Sequence, residues 1–126
     1  MQRGLIGIAA VVALQLGAPA AFGQKMTEQF IPMGQSPGLS GMYTDVGQIE
    51  QIDFESRTIT LAEVAGGRVV AITGRTRIWL DRSTLQQTNV TGSFMDLREG
   101  RRVEVKYEDD ARRQAAAWIK VDAAPE

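Results

Sequence analysis

Asp96-Leu97-Arg98-Glu99-Gly100-Arg101-Arg102-Val103-Glu104-Val105-Lys106-Tyr107 decides how this chain folds. Val103, Val105 and Tyr107 alternate with Arg102, Glu104 and Lys106. A period of two is the mark of a half-buried strand in an antiparallel sheet, with the apolar set on a core and the charged set in water. Gly100 stands where the chain must turn before that strand, so a positive φ is expected there.

Downstream, Glu108-Asp109-Asp110-Ala111-Arg112-Arg113 reads as a turn. Residues 114–121 read as a last strand, with Ala117, Ile119 and Val121 inward and Trp118 and Lys120 outward. Upstream, residues 46–53 form a strand whose apolar Ile49 and Ile52 are three apart, which calls for a bulge near Glu50-Gln51. Phe54-Glu55-Ser56-Arg57 turns the chain into Thr58-Ile59-Thr60-Leu61-Ala62, completing a hairpin. Ala65-Gly66-Gly67 is the next turn, and residues 68–72, rich in β-branched side chains, the next strand. Residues 76–80 make a fourth short strand. A brief helical turn over Thr84-Leu85-Gln86-Gln87, capped by Asp81 or Ser83, is expected within 81–91. Asn89-Val90-Thr91 matches a glycosylation sequon, read here as chance.

Five or six short strands in one open sheet would leave edges and an apolar face uncovered. Rolling the sheet removes both problems. The expected fold is therefore all-β: a small antiparallel barrel of five to six strands, like the oligonucleotide-binding fold, with one short helical insertion. A small sandwich is the alternative.

Residues 1–23 stand apart from that domain. Arg3 precedes an apolar run from Leu5 to Leu16, and Ala21-Phe22-Gly23 supplies small residues for cleavage after Gly23. This is the pattern of a secretory signal peptide; the run is short for a bilayer span, and no membrane anchor is expected after cleavage. Residues 24–42 contain Pro32, Gly34, Pro37, Gly38 and Gly41 and read as an irregular leader arm. A flexible spacer is the favoured reading, and an arm docking its apolar residues is the other. The domain then occupies 43–122 and a frayed tail 123–126.

The chain has 14 basic and 15 acidic residues. The signal peptide holds one of the basic ones, Arg3, and no acidic one, so the mature net charge of about −2 does not favour specific nucleic-acid binding. Cysteine is absent. An exported domain without disulfides must stand on its core, and this fits a bacterial periplasmic or secreted protein.

The pattern Gly47-x-Ile49-x-x-Ile52-Asp53, Arg57-Thr58-Ile59-Thr60-Leu61, Thr76-x-Ile78, Asp96-Leu97-x-x-Gly100-x-x-Val103-x-Val105, Ala117-x-Ile119-x-Val121 resembles small secreted bacterial β-barrel domains of unknown function. The resemblance runs from Gly47 to Val121. It implies an exported, oligonucleotide-binding-like barrel and brings no catalytic residues. The chain is more distantly similar to the periplasmic copper- and silver-binding barrel proteins, which hold a soft monovalent metal with a His, two Met and a nearby Trp. Here there is no His, and Val69, Val70, Ile72, Ile78 and Trp79 occupy the region of that cluster without a Met. The resemblance therefore implies a shared scaffold with no metal site.

Without His or Cys, most nucleophile–base pairs and most zinc or copper sites are unavailable. The carboxylate pairs Asp53 with Glu55 and Asp109 with Asp110 could serve glycoside hydrolysis, but turn chemistry accounts for them. Glu108-Asp109-Asp110 lacks the alternating ligands of a calcium loop. Met26, Met33, Met42 and Met95 are irregularly spaced, and gap-filling explains them better than a thioether site. No catalysis and no cofactor are expected. Trp79 shares an outer face with Arg77, and Trp118 faces outward on the last strand. If those strands are close, Trp79, Trp118 and Arg77 make an amphipathic patch for a sugar, a base or a protein. The favoured reading is that each ring covers a barrel end or loop. The expected function is a non-catalytic binding or accessory module of the envelope, with an envelope protein or glycan as partner. A copper- or silver-binding chaperone is the alternative.

Overall fold

The computed structural model describes residues 27–62 and 67–123. The expected signal peptide, residues 65 and 66 of the expected glycine turn and the last three residues of the tail lie outside them. Seven strands form one sheet: β1 (Thr44–Asp53), β2 (Thr58–Leu61), β3 (Arg68–Ala71), β4 (Arg77–Asp81), β5 (Val90–Thr91), β6 (Arg102–Tyr107) and β7 (Ala116–Asp122). Their spatial order is β3-β2-β1-β6-β7-β4-β5. No helix among the described residues is long and apolar enough to cross a membrane.

β6 lies at the middle of the sheet, between β1 and β7. Val103, Val105 and Tyr107 point into the core with Ile49, Ile59, Leu61, Val70, Ile119 and Val121. The turn before β6 closes on β1: the Gly100 amide donates to the Ile49 carbonyl at 2.7 Å, with Gly100 at φ +90°. β1 is long enough to serve two neighbours, β6 through its first half and β2 through its second. The register slips between Ile49 and Gln51, which is the bulge that the three-residue apolar spacing requires.

Three expectations are corrected. The sheet has seven strands and is mixed, because β4 runs parallel to β7. The unforeseen β5 is only two residues long and pairs with Trp79 and Leu80. Its brevity left no periodicity to read. In place of a helical insertion there are two 3-10 turns, Ser83–Leu85 and Phe94–Asp96. Asp81 stands two residues before the first, where its Oδ1 accepts from the Ser83 amide and hydroxyl. In the last strand it is Ala116, not Ala117, that joins the core. Tyr107 pairs with Ala116 while Lys106 pairs with Trp118, so Ala117 is the extra residue of a bulge.

The sheet curls until β3 approaches the start of β7. Ala71 bridges Ala115, and the Ala71 amide donates to the Gln114 carbonyl at 2.8 Å. Among the described residues that seam is a single bridge and not a ladder, so the sheet is not zipped shut there.

The leader arm is packed, contrary to the spacer reading. From Thr27 to Tyr43 it proceeds by successive turns across the outer face of β6, β7 and β4. The residues expected to face water from those strands, Glu104, Lys120, Trp118 and Trp79, are buried. The physical reason is that the arm's backbone and hydroxyls supply the polar partners that water would otherwise give.

Candidate functional site

The parallel register of β4 and β7 places Arg77 opposite Trp118 and Trp79 opposite Lys120. Side chains two apart on a strand share a face, so both indoles stand side by side on the outer face. Their ring centroids are 5.3 Å apart with the planes inclined by 32°. The structure thus brings the three sequence-predicted residues together. Arg77 is exposed, but Trp79 and Trp118 retain only 4% and 5% of their surface. The patch is consequently the floor of a groove.

A polar network fixes the arm over that floor. The Lys120 ammonium, fully buried, donates to Glu28 Oε1 at 2.8 Å and to the Ile31 carbonyl at 2.9 Å. It also lies 5.0 Å from the Trp118 ring. Glu28 accepts in addition from the Ser36 hydroxyl. Glu104, opposite Lys120 on β6 and equally buried, also turns to the arm. It accepts from the Gly34 amide at 2.9 Å, the Ser40 hydroxyl at 2.6 Å and the Thr44 hydroxyl at 2.8 Å. Gly34 takes φ +79° to present that amide. Asp81 ends the row, accepting from the Met33 amide at 2.7 Å. Asn89 reaches the arm as well, donating to the Gln29 carbonyl at 2.9 Å while accepting from the Arg82 amide. This buried network was not read from the sequence. Its signals were the charges at 104 and 120, which fall in register, and the apolar Ile31, Met33 and Leu39 of the arm.

Between arm and sheet a groove of ≈ 1260 Å³ remains, with Ile31, Pro37 and Leu39 on one wall and Trp79, Trp118 and Arg77 on the other. Charges at its rim are mostly neutralised in pairs. Arg75 meets Glu108 at 2.9 Å and Lys106 meets Asp110 at 2.7 Å. Arg77 forms none of the ion pairs among the described residues.

A second buried node ties the arm's end to the core. Tyr107 donates its hydroxyl to Asp45 Oδ2 at 2.7 Å, and Arg113 donates to Asp45 Oδ1 at 2.7 Å and to the Met42 carbonyl. Arg68 Nε lies 2.7 Å from Asp45 Oδ2 as an ion pair, but without the alignment of a hydrogen bond. Burial, and then the hydrogen bond to Asp45 and its charge, push the Tyr107 phenol well above its ordinary pKa.

The other carboxylates do what turn residues do. Asp53 Oδ1 accepts from the Glu55 and Ser56 amides, and the Ser56 bond foremost holds its carboxyl below the usual value. Asp109 Oδ1 likewise accepts from the Ala111 and Arg112 amides. Met33 of the arm is buried, whereas Met42 and Met95 are exposed on separate elements. Among the described residues no group of three or more acidic side chains converges as a metal site would require.

No protein-family model and no curated protein matches the chain. Solved structures similar to it include a tryptophan-to-alanine variant of CusF with Cu(II) from Escherichia coli, at 18% identity and a TM-score of 0.42. That likeness covers 63% of this chain and 89% of the other. Another is CusF with Ag(I), at 19% identity and a TM-score of 0.41, covering 62% of this chain and 93% of that one. No residue role passes to this chain from either structure.

Proposed function

We propose that this protein is a non-catalytic binding module of the bacterial envelope, exported to the periplasm or beyond, whose partner enters the groove beneath the leader arm. The observation that supports this reading most is the stacked Trp79–Trp118 pair beside the exposed Arg77, on the floor of a groove that the arm leaves open. Concave sites with aromatic walls and a few placed polar groups are where ligands gather. The expected leader peptide supplies the address. The two carboxylates that line the groove are engaged, Glu28 with Lys120 and Glu108 with Arg75, and in this reading the module captures its partner without converting it.

Tryptophan emission of the secreted protein provides the test. Titration with solubilised envelope fractions should shift that emission to saturation. Arg77→Gln, at an exposed position, should weaken the response about tenfold, an effect of about 1.4 kcal/mol. Trp118→Phe, which keeps a ring in the groove, should weaken it less. A response that is the same in wild type and both variants would sink the groove as the binding site.

A further inference from the structure

A second cleft, of ≈ 390 Å³, lies between β4, β5 and the turn after β3. It shares Gly74, Thr76, Arg77 and Trp79 with the groove under the arm. The two therefore adjoin at the start of β4, and a ligand that passed from one to the other would follow a trough there. A trough of that form suits a linear chain better than a compact molecule.

Charge along the trough is unbalanced. The lining of the smaller cleft includes Arg57 and Arg77 and no carboxylate. Neither guanidinium enters an ion pair among the described residues. The Arg57 guanidinium carbon lies over the Phe94 ring, 4.4 Å from its centroid, and Phe94 meets Phe54 edge-on at 5.7 Å. Stacking occupies the face of a guanidinium and leaves its N–H edge for a planar acceptor, above all a carboxylate. The acids nearby are already engaged. Glu28 holds Lys120 and Ser36, Glu108 holds Arg75, and Asp96 accepts from Ser93.

We infer that the trough binds an acidic glycan, a chain of carboxylated sugars, with Arg57 and Arg77 each taking a carboxylate; this rests on the binding-module reading above. Thr91, exposed on the wall of the smaller cleft, offers its hydroxyl to a hydroxyl-bearing ligand, whereas the Thr76 hydroxyl is spent on the Ala116 carbonyl and the Thr73 amide. A nucleic-acid strand fits less well. Its bases need open aromatic faces, and both indoles are nearly covered.

The test is a titration of the secreted chain with an oligogalacturonate, a neutral maltooligosaccharide of equal length and oligothymidylate, read by tryptophan emission and calorimetry. The oligogalacturonate should bind saturably. Its affinity should fall about tenfold in either Arg57→Gln or Arg77→Gln, and fall on raising salt, as exposed charge pairs are screened. Both positions are exposed, so folding is not at stake. Equal binding of the neutral oligomer would overturn the acidic assignment, and tighter binding of oligothymidylate the glycan assignment. If no oligomer binds while envelope fractions still shift the emission, this inference falls and the binding module stands. If neither responds, both fall.

Discussion

Lys120 of β7 donates to Glu28 of the arm at 2.8 Å across 92 residues of sequence, and no part of the Lys120 side chain reaches solvent. The arm is therefore held by an ion pair with nothing but protein around its cation. Removing one partner of a buried pair leaves the other uncompensated and costs about 3 kcal/mol or more. Lys120→Met should lower stability by that order in chemical denaturation. It should also make residues 27–43 sensitive to protease and shift tryptophan emission to the red as the indoles are uncovered. Adding Glu28→Gln should recover part of the loss. Unchanged protection of the arm in Lys120→Met would show that its apolar contacts suffice.

Glu104 accepts from three donors, the Gly34 amide and the hydroxyls of Ser40 and Thr44. Glu104→Leu would strand donors whose desolvation costs about 1–3 kcal/mol each where water does not reach them. The expected result is destabilisation of about 2 kcal/mol or more with faster hydrogen exchange at the Gly34 amide. Exchange at the wild-type rate would place the arm's anchorage elsewhere.

Tyr107 gives the protein an alkaline limit. Its phenol pKa is raised in the folded state, so below the ordinary value of about 10 both folded and unfolded chains keep the proton and the stabilisation is complete. Above that value the unfolded chain loses the proton first, and stability falls as pH rises. Tyr107→Phe should remove this slope while losing the hydrogen bond to Asp45 at every pH. A wild-type unfolding free energy that stays flat above pH of about 10 would contradict the assignment.

Gly100→Ala isolates backbone strain. A Cβ there would meet nothing within 4 Å, yet φ is +90°. The expected cost is about 1–2 kcal/mol, with the native fold retained. A cost near zero would mean that the turn before β6 relaxes out of the left-handed region.

Silver or copper uptake would need thioethers that converge. Met33 is buried, whereas Met42 and Met95 are exposed at 62% and 67% on separate elements. Calorimetric titration with Ag(I) should show only weak, non-saturating heat. A stoichiometric, saturable transition would restore the metal-carrier reading.

How far the sequence reached follows from what alternation encodes. A period of two records which side chains of a strand share a face, and the core face of β6 was legible in Val103, Val105 and Tyr107. Apolar spacing also placed the bulge in β1, turn chemistry placed the positive φ of Gly100, and alternation put Trp79 and Trp118 on outer faces, but that their strands are neighbours came only from the fold. Alternation could not read β5, two residues long, nor the bulge that exchanged Ala117 for Ala116, because the three alanines in a row, 115–117, carry no preference.

Alternation by itself determined an inner face, an outer face and the turns between strands, since these depend on neighbours along the chain. Only the tertiary structure decided what becomes of the outer face. Glu104 and Lys120 have the character of solvent residues, and their burial rests on partners 60 to 92 positions away: Gly34, Ser40 and Thr44 for one, Glu28 and Ile31 for the other. A charge can leave water only where such partners replace it, and no local pattern states where they will come from.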